Sequence, residues 1–248
     1  MTPRGRTMLC VAALAIVGAF MLWGMAGLRP FGEYAGPYGN VINAVAQRER
    51  HVLNSVTAVN FDYRAIDTLA EEYIFFAAVT GLSVITRRQI GEGETRTDEP
   101  IEQPKKGRVD GVVWMCYGLL PIVLAFGFAI AVNAALTPGG GFQGGAIAGS
   151  AFAFAYLALG YRAFKRLAPA SSEIVSSFGG AAYAIVGIAT AVATGVFLVN
   201  ALPLGQTGTV FSGGTIAAIN GCVFVEVTAG FAVVLGEFLD LTRRTVSQ

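Results

Sequence analysis

Charge is scarce in this sequence. Only 13% of its 248 residues are Asp, Glu, Lys or Arg, against 54% hydrophobic, a balance outside the range of soluble globular domains. The few basic residues lie in short scattered clusters, and no single basic patch gathers for nucleic acid. Histidine is nearly absent, with His51 alone in a polar stretch where exposure is expected. The three cysteines, Cys10, Cys116 and Cys222, each stand inside an apolar run. Without CxxC spacing or neighbouring histidines they predict inert thiols, no metal centre and no cofactor. The Lys-Ser/Thr that completes a phosphate-binding loop is also missing. These gaps turn the reading away from soluble enzymes, nucleic-acid binders and metalloproteins, and toward the bilayer.

Long apolar runs are what the chain has instead. A hydrocarbon core of ~30 Å needs about 20 helical residues, and six stretches approach that length: Met8 to Leu28, Asp67 to Thr86, Val112 to Leu136, Gly145 to Tyr161, Ile174 to Leu202 and Val210 to Leu239. The first carries a signal-like small-x-small site at Gly24-Met25-Ala26, but its uncharged run is longer than an ordinary signal core, so a retained helix is expected. With the N-terminus inside, thirteen Lys and Arg fall on the cytoplasmic side, while Arg29, Arg48, Arg50 and Arg64 fall outside. The expected fold class is therefore all-α, a polytopic membrane protein with about six transmembrane helices, N-in and C-in. Residues 89–110, rich in charge, Gly and Pro, read as a cytoplasmic linker between a two-helix part, 1–88, and a four-helix part, 111–248.

Two features inside this frame carry chemistry. The first is the stretch Thr137 to Gly145, TPGGGFQGG, expected on the outer side between the third and fourth helices. Pro138 should end the third helix, and Gly139, Gly140, Gly141, Gly144 and Gly145 permit tight turns. Gly141, Gly145, Gly149 and Ala153 recur every four residues, so an early start of the fourth helix would align them as a ridge that another helix backbone can approach closely. A plain tight hairpin with ordinary small-residue packing accounts for the same pattern. The second feature is acid within apolar runs. The second helix cannot span unless Glu71 and Glu72 enter the outer part of the membrane, with Asn54, Asp62, Arg64 and Asp67 clustered ahead of it. Glu226, flanked by Val225 and Val227, falls near the middle of the last helix, on a face shared with Thr215, Cys222, Gly230 and Glu237. A carboxylate there costs ~3 kcal/mol and belongs to a bundle interior, a wet cavity or a partner chain. It serves either as hydrogen-bonding glue or as an ion site. Glu237 and Asp240, near Arg243 and Arg244, read as interfacial.

The run TPGGGFQGG, the later LPLGQTGTVFSGGTIAAIN and the acid within FVEVTAG resemble the B subunit of Mrp-type sodium/proton antiporters, the MnhB/MrpB family, over Val112 to Leu239. Upstream, DYRAIDTLAE is similar to the small domain that closes the A subunit of the same complexes and to a small, MbhE-like membrane subunit of energy-converting hydrogenases. The resemblance implies a nonenzymatic, multi-pass subunit of a cell-membrane complex. Its partners would be other Mrp subunits and lipid, with Na+ and H+ as the exchanged ions and no nucleic acid. By position, Glu71 corresponds to the acid ending the family's DTLGE motif, with Ala70 where the family more often has Gly. Glu226 stands where Asp is more usual. On this reading Glu71, Glu226, Glu72 and Asp67 are candidates for the ion or proton path, and Pro138 with the glycines serves assembly or helix packing. Two alternatives remain: an ion-translocating or scaffold subunit of a hydrogenase-type complex, and a solitary structural membrane protein.

Overall fold

The computed structural model describes residues 3–28, 32, 36–86, 110–168 and 171–246. Among these every regular element is helical, and six helices are long and apolar enough to cross a membrane. The linker expected at 89–110 lies, but for Asp110, outside the described residues. Two compact units are distinguished, residues 1–40 and 41–248. In the first, α1 (Pro3–Ala26) presents exposed apolar side chains such as Leu14, Phe20 and Trp23, as a lipid-facing helix does.

The second unit is a helical bundle. Its spans are α4 (Ala65–Thr86), α5 (Asp110–Val132), α6 (Gly141–Leu159), α8 (Ser171–Thr194) and α9 (Thr215–Val246). α9 lies at the centre and packs against α4, α5, α6 and α8. Its inner positions Ile216, Ile219, Val223 and Val227 are fully buried in one core with Leu69, Phe61 and Tyr183. α4 and α9 both begin at the end that holds the glycine hairpin and run side by side.

Three short helices were not anticipated. α2 (Pro37–Arg50) buries Ile42 and Ala46, one turn apart, and begins at a proline, the residue whose missing N–H costs nothing in a first turn. α3 (Ser55–Ala58) is capped by Asn54, whose Oδ1 accepts from the Val56 N–H at 3.1 Å, and continues into a π-helical turn, Val59–Tyr63. α7 (Tyr161–Leu167) follows a sharp turn at Gly160, φ +87°, and buries Phe164 completely.

The expected span ends shift where local chemistry overrides apolar length. α5 stops at Val132, before Leu136, as the Asn133 side chain caps the Ala129 carbonyl at 2.8 Å. α6 begins at Gly141, ahead of Gly145. α8 stops at Thr194, not Leu202, because the chain turns through Gly195 (φ +80°) and Leu198 (φ +58°), and α9 begins at Thr215, not Val210.

Candidate functional site

The glycine hairpin explains how the centre is held. Asn220 of α9 accepts from the Gly141 N–H at 2.6 Å and donates to the Ala131 carbonyl at 2.7 Å, joining the end of α5 to the start of α6. From the other side, Asn54 donates to the carbonyls of Ala134 at 3.0 Å and Thr137 at 2.9 Å, and Thr57 donates to Ala134 at 2.7 Å. Pro138 is exposed at the turn, and Gly139 takes φ +136°. Gly140 is buried just before α6.

Beyond the turn the small residues face two ways. A Cβ on Gly141 would stand 2.3 Å from the Asn220 carbonyl oxygen, on Gly145 2.8 Å from Val227 Cβ, and on Gly149 2.5 Å from Phe231 Cβ, so this ridge lies against α9. Gly144 faces α5, where a Cβ would be 2.5 Å from the Gly127 carbonyl oxygen. The absent side chains let three helix backbones meet, as packing in lipid requires.

That close packing frames a carboxyl pair. Glu72 of α4 is 1% exposed and Glu226 of α9 is 0% exposed, and the two side chains face each other. Beyond each other, none of their four oxygens has a hydrogen-bond partner among the described residues. α8 makes room for them: a Cβ on Gly180 would lie 2.9 Å from Glu226 Oε2, and one on Gly179 would lie 2.7 Å from Glu226 Cβ. Tyr183 of α8 and Cys222 of α9 are close neighbours, with the Tyr183 hydroxyl donating to the Ala65 carbonyl at 2.8 Å. Two carboxylates cannot both stay ionised side by side without water, so such a pair takes up a proton or a cation between its oxygens.

The sequence-derived acids separate in the structure. Glu72 and Glu226 come together. Glu71 is exposed on α4, turned away from the pair, and Asp67 sits in the first turn of α4, bonded to Arg64 at 2.5 Å. Helical phase could have chosen Glu72 over Glu71, because Glu72 shares its face with buried Leu69, Val79 and Ser83. The Gly179-Gly180 step inside an apolar span was the missed sign that α8 leaves space for a side chain opposite.

Most polar groups at the flanking ends are partnered, Ser212 Oγ in the loop before α9 being an exception among the described residues. On the glycine side, Arg50 pairs with Asp62, which Asn200 also reaches at 3.5 Å. Burial, the largest influence, raises the Asp62 pKa above its ordinary value against the pull of Arg50. Tyr63 donates to Glu49 at 2.9 Å beneath the Arg50 guanidinium, and burial followed by that bond pushes its phenol up to about 12. His51 is not simply exposed: it is half-buried, holds φ +56°, and its Nδ1 meets the Gly205 carbonyl at 2.6 Å. The loop before α9 closes over it and fixes its place. At the opposite end Glu237 accepts from Thr86, and Asp240 pairs with Lys165 at 2.8 Å and accepts from Tyr161 at 2.5 Å.

Comparison with known proteins adds a second line. Residues 112–233 match the family described as a domain related to the MnhB subunit of Na+/H+ antiporter. An uncharacterized protein of Methanocaldococcus jannaschii is 24% identical over 234 residues, 88% of each chain. A chain of the membrane-bound sulfane sulfur reductase, an archaeal respiratory membrane complex, superposes with TM-score 0.69 and 26% identity, covering 94% of this chain and 98% of that one. A chain of the Mrp complex from a Dietzia species shares the fold with TM-score 0.66 at 22% identity, over 96% of this chain and 26% of that longer one. Residues 112–233 are thus an MnhB-related domain, and the chain is a multi-pass membrane protein that shares its fold with chains of larger membrane complexes.

Proposed function

We propose that this chain is a nonenzymatic subunit of a multisubunit monovalent cation/proton antiporter, with Na+ as the cation. On this reading the Glu72–Glu226 pair is the site where a proton and the cation compete. The observation that carries it is the buried pair itself, four carboxyl oxygens with no partner among the described residues but each other, set in a bundle whose α5, α6, α8 and most of α9 form the MnhB-related domain. Structural glue would spend those oxygens on hydrogen bonds, as Asn220 and Asn54 spend theirs. Two facing carboxyls that share one proton can exchange it for one cation with no change in the charge of the site.

In the same reading α4 with the segment before it is the MbhE-like part, residues 1–88. Residues 89–110 are its cytoplasmic connection to the MnhB-like part, 111–248, and both termini are cytoplasmic. Glu71, exposed on α4, meets a neighbouring subunit, since a lipid-facing carboxylate costs ~3 kcal/mol. Asp67 and Arg64 sit at the outer rim. Pro138 and the glycine ridge serve packing, holding α9 so that Glu226 meets Glu72.

The decisive experiment measures sodium-driven proton exchange in membrane vesicles, with complex content checked for each variant. Glu72→Gln and Glu226→Gln should assemble and fail to exchange; wild-type exchange in both removes the site from the mechanism. A second reading, a membrane subunit of a respiratory complex that couples ion movement to electron transfer elsewhere, is favoured by the near full-length match to the sulfane sulfur reductase chain. Copurification with redox subunits, in place of antiporter subunits, selects it.

A further inference from the structure

Three buried serine hydroxyls lack a hydrogen-bond partner among the described residues: Ser212 in the loop before α9, and two within the spans that hold the carboxyl pair or pack beside it. Ser176 of α8 is 1% exposed, Ser83 of α4 is 6% exposed, and neither Oγ has a hydrogen-bond partner among the described residues. Buried hydroxyls normally donate or accept, often through ordered water, so two such orphans in one bundle call for a reason.

Their positions supply one. Ser176 lies one helical turn from Gly180, the residue whose missing side chain leaves room for Glu226 Oε2, and so on the same face of α8. α8 rises toward the glycine hairpin, which puts Ser176 on the opposite side of the carboxyl pair. Ser83 falls in phase with Glu72 on α4, roughly 16 Å further along at ~1.5 Å of rise per residue. Glu237 repeats that offset and phase from Glu226 on α9, and Thr86 donates to it. One turn beyond, Asp240 pairs with Lys165 of the basic helix α7, whose positive charge marks the cytoplasmic end under the usual charge asymmetry. Between the pair and Glu237 the facing surfaces also carry Val79, Gly230 and Val233, so the hydroxyls interrupt an otherwise apolar section.

Resting on the reading of Glu72 and Glu226 as the exchange site, we infer that Ser176, Ser83, Thr86 and Glu237 mark the path by which protons pass between that pair and the cytoplasmic end of α4 and α9. Each hydroxyl accepts a proton from one neighbour and passes on its own, so no bond between heavy atoms changes and the charge moves one step. Water fills the intervals when the apolar section wets, and a dry section keeps the pair isolated from the cytoplasm. Glu237 is the collecting group at the mouth. The serines are positioning residues for water, not binding groups for the cation.

The test uses the assembled complex in membrane vesicles, with exchange driven by a sodium gradient and measured in H2O and in D2O. Ser176→Ala and Ser83→Ala keep the packing volume and delete one hydroxyl each. Each should slow exchange about tenfold at matched complex content, and the ratio of the rates in H2O and D2O should rise, because proton delivery has become limiting. Wild-type rates in both variants, or slower exchange with an unchanged isotope ratio, overturn the path. Glu72→Gln measured in parallel separates the two layers: if it exchanges like wild type, the carboxyl site has failed and the path with it. An inactive Glu72→Gln beside serine variants of normal rate rejects the path alone.

Discussion

The glycine hairpin and the centre of the bundle are built from the same helices, yet they treat polar groups in opposite ways. At the hairpin, Asn54, Thr57 and Asn220 each make short bonds to named backbone groups, and the chain is stitched from both sides. At the centre and beside it, the Ser83 and Ser176 hydroxyls have no partner among the described residues, and Glu72 and Glu226 have only each other. A buried polar atom left unpaired costs ~1–3 kcal/mol, more for a charged group. On the proposed function the contrast separates architecture from a site: the hairpin amides are satisfied by backbone groups, and the carboxyl pair would be completed by the proton or cation it holds.

Substitutions that break the contrast should rank in effect. Glu226→Gln and Glu72→Gln keep shape and remove the titratable group, so exchange should fall by at least about a hundredfold, the usual scale for loss of a proton-transferring group. Glu226→Asp, the residue more usual at this position in the family the sequence resembles, should retain more activity than Glu226→Gln in the same vesicle assay. Next comes Gly149→Leu. A Cβ there already meets Phe231 Cβ at 2.5 Å, so overpacking should cost ~1–3 kcal/mol or more and lower the yield of assembled complex on a native gel.

Asn220→Ala sharpens the comparison from the satisfied side. It strands the Gly141 N–H and leaves the Ala131 carbonyl only its 3.3 Å bond from the Ala134 N–H, which should cost ~1–3 kcal/mol, read as an earlier thermal transition of the purified complex. Exchange per folded complex should change little. The smallest effect belongs to Tyr63→Phe at the rim. Folding raises the Tyr63 phenol from its ordinary 10.0 to about 12, so the folded protein holds a proton that the unfolded chain releases first. That contribution is complete below pH 10 and is lost as pH rises toward 12. Removing the phenol should therefore flatten the loss of stability in this window, measured by thermal melts across it.

Much of the fold was legible because apolar length is a strong signal in lipid: all six expected spans have a counterpart among the helices. Their ends were less legible. Apolar residues continue past Val132 and past Thr194, and the chain turns there for reasons of side-chain capping and positive φ that hydropathy does not register. α2 and α7 escaped notice because each buries only one or two side chains in a short polar segment. Glu226 stood out in the sequence since valines flank it on both sides. Its partner was harder to choose, because the motif drew attention to Glu71 while helical phase turns Glu72 inward. Which helix faces which cannot be read from one chain's periodicity, so Gly179 and Gly180 gained meaning only beside Glu226.

Exchange of a proton for a cation at the Glu72–Glu226 pair would leave a spectroscopic trace. Infrared difference spectroscopy of the purified complex, recorded on adding Na+ at fixed pH, tests it most directly through the C=O stretch of a protonated carboxylic acid. Na+ should abolish such a band in the wild-type complex, and this Na+-induced change should be absent from both Glu72→Gln and Glu226→Gln complexes. A carboxylic-acid band unmoved by Na+, or an Na+-induced change that persists in both variants, would contradict it.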